Sequence, residues 1–181
     1  MIAAILLADA DLEIAGTPLA LQLSDVGETL IEWQITQLQE AGVEVVVVVL
    51  GHGAESLIPL VFGNDVEPIV NDRWQDGEAS SLRVGAVATP RNTDTAVIVW
   101  LSRPREAAIA KAVLKEHLAA KSRVTRPFSG DSPGSPICID AQVLARLRNL
   151  GDGVDVEELL RDYDTLVVRV AGETPDLAQA P

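Results

Sequence analysis

The chain has 181 residues, 48% of them hydrophobic, and a mean hydropathy of +0.21, which suits one domain with its own core and excludes a disordered protein. Its 27 acidic residues outnumber 14 basic ones, giving a formal charge of −13, and its single cysteine, Cys138, excludes an internal disulfide and a cysteine-cluster metal site. Every Lys and Arg lies from Arg73 onward, while Met1–Asp72 holds 12 of the acidic residues, a surface unsuited to phosphate backbones or anionic bilayers, so neither nucleic acid nor membrane is an expected partner.

Ile2–Leu7 is a short continuous apolar run and reads as a buried strand. No basic segment precedes it and Asp9 cuts it short, so no signal peptide is expected and a cytoplasmic protein is. A loop from Ala8 to Leu19 comes next, with Gly16 and Pro18 in it. Leu30, Ile31, Ile35 and Leu38 fall near one face of a helix over Glu28–Ala41, which Gly42 stops. Val45–Leu50, five valines and a leucine, predicts a strand buried on both faces. The longest apolar run ends there and falls far short of the roughly 20 residues a membrane span needs.

Gly51-His52-Gly53 is a turn, and Ala54–Val61 a short helix interrupted by Pro59. Glu67–Val70 reads as a strand, and Ala79–Ala88 as a helix with Ser80 or Ser81 near its start. Ala96–Leu101 is another apolar strand, and Pro104–Ala120 a helix with Pro in its first turn. Pro136–Ile139 is strand-like, Ala141–Leu147 and Val156–Arg161 are helical, and Leu166–Val170 is a last strand. Residues 1–170 are expected to form one domain and 171–181 a polar tail.

Strands alternating with helices, with continuous rather than alternating apolar strands, predict an α/β three-layer sandwich on a mostly parallel, doubly wound sheet. Ligands in such folds bind beyond the carboxyl ends of the strands. The loops after Leu7, Leu50, Val70 and Leu101 are therefore where chemistry is expected.

The residues in those loops carry a resemblance. Asn71-Asp72-Arg73-Trp74 followed by Gly77-Glu78-Ala79-Ser80-Ser81-Leu82-Arg83-Val84-Gly85 is similar to the N-p-x-W-x-x-G-M-S-S-S-L-R-x-G segment of MobA-like nucleotidyltransferases, which attach GMP or CMP to molybdopterin. Ala41-Gly42-Val43 with the valine strand and Gly51-His52-Gly53 resembles the family's second strand and turn. Gly134-Ser135-Pro136 resembles its G-H-P turn, Gly151-Asp152-Gly153 its G-D-x-G turn, and Glu173-Thr174-Pro175-Asp176 loosely its last signature. The resemblance spans most of the chain and implies a nucleotide-diphospho-sugar-transferase-like fold. It also implies a substrate cleft lined by His52, Asn71, Gly77, Ser80, Ser81, Arg83 and Ser102.

The departures from the family pattern fall on its chemistry. The family's opening loop reads L-A-A/G-G-x-S-x-R-M-G-x-x-K, whose backbone amides, Arg and Lys grip a triphosphate. The matching stretch here runs from Leu7 through Ala8, Asp9, Ala10, Asp11, Leu12, Glu13 and Ile14 to Gly16 and Leu19: only Gly16 is kept, no cation is present, and carboxylates are added. The family's fourth strand ends in L-G-D-Q-P, whose Asp holds Mg²⁺, and here Trp100-Leu101-Ser102-Arg103-Pro104 takes that place. Trp100 is expected partly to fill the emptied metal position. These departures point to a family member whose transferase chemistry is weakened or gone.

Two alternatives stand beside it. Asp9 and Asp11 offer carboxylates for a divalent cation, so an active transferase with Mg²⁺ held there is one. A non-catalytic interaction or regulatory module, with a small-molecule or protein partner and homo-oligomerisation open to it, is the other. Gly130-Asp131-Ser132-Pro133-Gly134 fits G-x-S-x-G, yet a strand rather than a helix comes after it, so it reads as a turn.

Overall fold

The computed structural model describes residues 1–8, 13–14, 16–23, 27–63, 65–129, 132–151 and 153–169. The expected metal candidates Asp9 and Asp11, with Ala10 of the same loop and the 171–181 tail, lie outside the described residues. Seven strands carry the sheet: β1 (Ile2–Ala8), β2 (Val45–Leu50), β3 (Val66–Val70), β4 (Thr95–Trp100), β5 (Val124–Ser129), β6 (Ile137–Asp140) and β7 (Thr165–Arg169). They lie in the order β7-β5-β6-β4-β1-β2-β3, and Ser132–Pro133 adds a short eighth segment against β5. β1 pairs parallel to β2 and β4, β2 to β3, and β5 to β7. Only β6, between β4 and β5, runs antiparallel among the seven.

The helices are α1 (Leu30–Glu40), the single turn α2 (Ala54–Leu57), α3 (Glu78–Ala88), α4 (Ala107–Ala120), α5 (Ala141–Leu147) and α6 (Val156–Arg161). Side chains alternate along a strand, so β1 feeds two cores at once. Ala4, Leu6 and Ala8 pack on one face with Ile31, Ile35 and Leu38 of α1 and Val113 and Leu114 of α4. Ile5 and Leu7 pack on the other with Ala79, Leu82 and Ala86 of α3 and with apolar residues of α5 and α6. This is the expected three-layer sandwich, and no helix among the described residues is long and apolar enough to cross a membrane.

Local chemistry sets the boundaries. Helix α1 begins at Leu30, not Glu28, because Thr29 and Glu32 form a reciprocal capping box: Thr29 Oγ1 accepts the Glu32 N–H, and Glu32 accepts the Thr29 N–H at 3.0 Å. Helix α4 begins at Ala107, so Pro104 precedes the helix and is not in its first turn. The cause is tertiary: the backbone of Arg105 is bonded to Gln34 of α1, and Glu106 is extended at φ −66°, ψ 150°. Asp140 ends β6 and caps α5 by accepting the N–H groups of Gln142 and Val143. Gly16, at φ 77°, turns a small hairpin pairing Glu13–Ile14 with Thr17–Pro18 inside what reads in sequence as plain loop.

Strand β5 has no counterpart among the expected elements. Its run Val124-Thr125-Arg126-Pro127-Phe128 contains a Pro and an Arg, which argue against an interior strand. Yet β6 lies on one side of it and β7 on the other.

Candidate functional site: the crevice beyond β4 and β5

The strand order β3-β2-β1-β4 reverses direction of winding between β1 and β4, so the crevice opens beyond their carboxyl ends. Leu101 N–H still donates to Leu7 O at 2.9 Å, and the turn continues with Arg103 N–H to Trp100 O. Ser102 therefore sits just past the sheet edge, 8% exposed. It lines a pocket of about 340 Å³ with Trp100, Arg103, Arg126, Ser135, Asp155 and Glu157, together with Glu78 and Gly134.

Each element delivers its part. Trp100 closes β4, and its indole N–H donates to Glu78, the first residue of α3, at 2.9 Å. Arg126 projects from β5 and meets Glu157 of α6 through both terminal nitrogens, at 2.8 and 3.0 Å. That paired guanidinium holds the Glu157 carboxyl below its usual range. Asp155 caps α6 by accepting the Glu157 N–H at 2.8 Å. Ser135 has its carbonyl on Arg105 Nε, while its own hydroxyl, 2% exposed as a residue, has no partner among the described residues. The lining thus sets three carboxylates against two guanidinium groups.

The other expected cleft residues gather elsewhere. Asn71, 3% exposed, directly follows β3 and holds the start of α3: its Nδ2 donates to Ser80 Oγ at 3.1 Å and Ser81 Oγ at 3.0 Å, and its Oδ1 accepts the Arg73 N–H. Ser80 is 1% exposed, so its hydroxyl serves this junction. The residue capping α3 is Gly77, at φ 96°, a conformation that favours glycine. Arg83 reaches the other way and donates to Leu150 O at 2.9 Å. His52 is exposed, its ring 5.4 Å from Trp74, which itself covers Gly51 so closely that a Cβ there would lie 2.9 Å from Trp74 Cβ. Ala8 is the last residue of β1, paired with Leu50 and 5% exposed.

So the structure brings Asn71, Ser80 and Ser81 together as a junction and leaves Ser102 in the pocket with residues that sequence reasoning did not single out: Glu78, Arg126, Ser135, Asp155 and Glu157. Of these, Arg126 gave no signal in the sequence, because the Pro beside it hides the strand that carries it. The resemblance implies Mg²⁺ at the end of β4. The donor set there does not fit it, because the position holds the Ser102 hydroxyl, and no group of three or more metal-ligating side chains exists among the described residues.

Residues 17–166 match the family model of the MobA-like NTP transferase domain. No curated protein matches the chain. Among solved structures, Rv0371c from Mycobacterium tuberculosis H37Rv superposes with a TM-score of 0.79 at 20% identity, over 96% of this chain and 90% of that one. A nucleotidyl transferase from Methanothermobacter thermautotrophicus gives 0.72 at 24% identity, over 95% and 88%. The molybdopterin-guanine dinucleotide biosynthesis protein A of Archaeoglobus fulgidus gives 0.64 at 16%, over 93% and 83%. At these identities the likeness is one of fold.

Proposed function

The chain belongs to the MobA-like NTP transferase family, and from that premise we propose that it keeps the family's crevice without its triphosphate chemistry: a nucleotidyltransferase-like protein whose metal-dependent catalysis is lost or replaced. The turn after β4 carries this reading. Ser102 and Arg103 stand where the family resemblance puts a metal-holding carboxylate, and a hydroxyl is a weak ligand for a hard divalent cation. The opening loop supports it, since the chain has no Lys or Arg before Arg73. Charge-assisted hydrogen bonds contribute roughly 1.5–3 kcal/mol each, so the absence of two cationic partners costs several kcal/mol of triphosphate binding. The pocket beyond β4 supplies no surplus of positive charge either, since its three carboxylates outnumber its two guanidinium groups.

Titration calorimetry with CTP, GTP and ATP, each with Mg²⁺ and with Mn²⁺, is the test. The reading expects no sub-millimolar binding and no pyrophosphate release. Sub-millimolar binding of any of them that disappears in the Asp9→Asn, Asp11→Asn double variant would instead make the protein an active transferase with its metal on the opening loop.

A further inference from the structure

The two edges of the sheet are built differently. At one, β3 carries Pro68, which has no N–H to offer, beside the exposed Glu67, and both features discourage further pairing. At the other, β7 pairs with β5 alone among the described residues, and its run Thr165-Leu166-Val167-Val168-Arg169 holds neither proline nor carboxylate. Leu166–Arg169 and Ala112, Lys115 and Glu116 of α4 line a groove of about 390 Å³, and Val167 is 48% exposed. An open apolar strand edge is a template for another strand. We propose that β7 pairs antiparallel with β7 of a second copy of this chain, joining the two sheets into one across a two-fold axis.

The strand fits itself in one register. A two-fold axis perpendicular to the joined sheet keeps each face on its own side, so opposite residues must share a face and the pairing must be centred on a residue, not between two. Centred on Val167, the midpoint, Leu166 stands opposite Val168 of the partner subunit and Thr165 opposite Arg169 of the partner subunit. Centred on Leu166, Asp164 would oppose a valine, and centred on Val168, Val167 would oppose an arginine. Val168 packs on the cluster that holds Val113 and Leu114 of α4, so Leu166 and Val168 lie on the α4 side and the two grooves meet there. The neighbouring α4 helices then run antiparallel, and the exposed Lys115 of each faces Glu116 of the partner subunit.

Charge selects this edge over the other. Met1–Asp72, which has no cation, builds β1, β2 and β3, the far end of the sheet from β7. At roughly 4.8 Å per strand, joining at β7 sets the two β1 strands about 40 Å apart, well beyond a screening length of about 8 Å at physiological salt. Joining at β3 would instead press the acidic halves together. The α4–β7 edge itself carries Lys111, Lys115 and Arg169 against Glu116, so it adds no acidic surplus at the contact.

Sedimentation velocity on the full chain is the test. We expect a species of twice 19.2 kDa at micromolar concentration. Val167→Lys, which sets two ammonium groups against each other on the axis, should weaken association about tenfold or more with the circular dichroism spectrum unchanged. Lys115→Glu and Glu116→Lys sit on the exposed face of α4, where substitutions leave folding intact, and they decide the matter if Val167→Lys does not fold. Each should dissociate by itself, and the two mixed should associate again, because unlike charges then face each other at both positions. The proposal is overturned if the chain stays monomeric, which leaves the groove to residues 171–181 or to a different protein. It is equally overturned if folded Val167→Lys associates as the parent does, or if the mixed charge variants associate no better than either alone. None of these readouts depends on what the crevice binds.

Discussion

Gln34 of α1, with no exposed surface, lies with its side-chain amide flat against the backbone of Arg105: Nε2 donates to Arg105 O at 3.0 Å and Oε1 accepts the Arg105 N–H at 2.7 Å. One turn on, Gln37 Oε1 accepts the Ala107 N–H at 2.9 Å. Helix α1 therefore supplies, with two side chains, the hydrogen bonds that a strand would have given this segment. Arg105 passes the constraint on to Ser135 O, so the crevice rim is tied to α1 in the opposite layer.

Replacing Gln34 by Ala leaves both Arg105 backbone groups buried and unmet. At roughly 1–3 kcal/mol for each unsatisfied group, the loss should be a few kcal/mol. Gln34→Glu keeps the acceptor and sets a carboxylate against a carbonyl, so it should be as bad or worse. Urea unfolding midpoints measure both, and an unchanged midpoint for Gln34→Ala would show that the segment finds other partners.

Gly85 lies in α3 directly over the sheet. A Cβ there would come within 2.5 Å of Ile5 Cγ2 and 2.8 Å of Val49 Cγ2. Gly85→Ala should gain about 1 kcal/mol of helix propensity. It should lose more, because forced overpacking costs about 1–3 kcal/mol and here two core side chains must yield at once. The expected net is destabilisation, read as a lower thermal midpoint.

That glycine also illustrates what the sequence made legible. Gly85 closes the motif that carried the family resemblance, and the structure supplies a steric reason for it at that position. Long apolar strands and helix stops were readable because they depend on local pattern: β1, β2, β4 and α3 fall within a residue of expectation. Strand β5 was not readable, since its neighbours β6 and β7 come later in the chain and override the Pro in its own segment. The pocket was half legible. Ser102 could be placed from the end of an obvious strand, whereas Arg126 and Glu157 stand 31 residues apart and meet only through sheet topology. Asn71 and Ser80 were readable as a pair of interest, but their direction was not: the Ser80 hydroxyl is used inside, on Asn71.

Arg148 closes the far end of α3. Its Nε donates to Ala86 O at 2.9 Å and its Nη2 reaches Thr89 Oγ1 at 3.0 Å, with Thr89 O and Pro90 O at 3.3 and 3.2 Å. One guanidinium thus answers several carbonyls that a helix end leaves orphaned. Arg148→Ala should cost about 1.5–3 kcal/mol, the value of hydrogen bonds to a charged group. Arg148→Lys should recover little, because a point charge cannot fork to separated acceptors. Hydrogen exchange at the last turn of α3 should quicken in both.

Cys138 is wholly buried in β6, and burial pushes its thiol up to about 12. Only the thiolate reacts, so the native protein should be inert to an aromatic disulfide reagent at neutral pH. Labelling should appear with urea in step with unfolding. Stoichiometric labelling of the native protein would mean that β6 opens locally.

Acid should weaken the fold in two stages. His117, 3% exposed, has its Nδ1 3.0 Å from Thr125 Oγ1, and burial lowers its pKa below the usual 6.5, against an opposing pull from Asp140. The unfolded chain then binds a proton more readily than the native one, so stability is full above about 6.5 and falls as pH drops below it. Glu157 has the same sign at lower pH: its carboxyl is held below its ordinary 4.5 by Arg126, so its contribution is present above that value and is lost as pH falls through the depressed range. The Glu157 side chain is 49% exposed, which screens the pair and makes this second stage the smaller. Unfolding free energy measured by urea from neutral to acid pH should decline in both windows. His117→Gln should flatten the first and Glu157→Gln the second, and a first window that survives His117→Gln would assign the loss to another group.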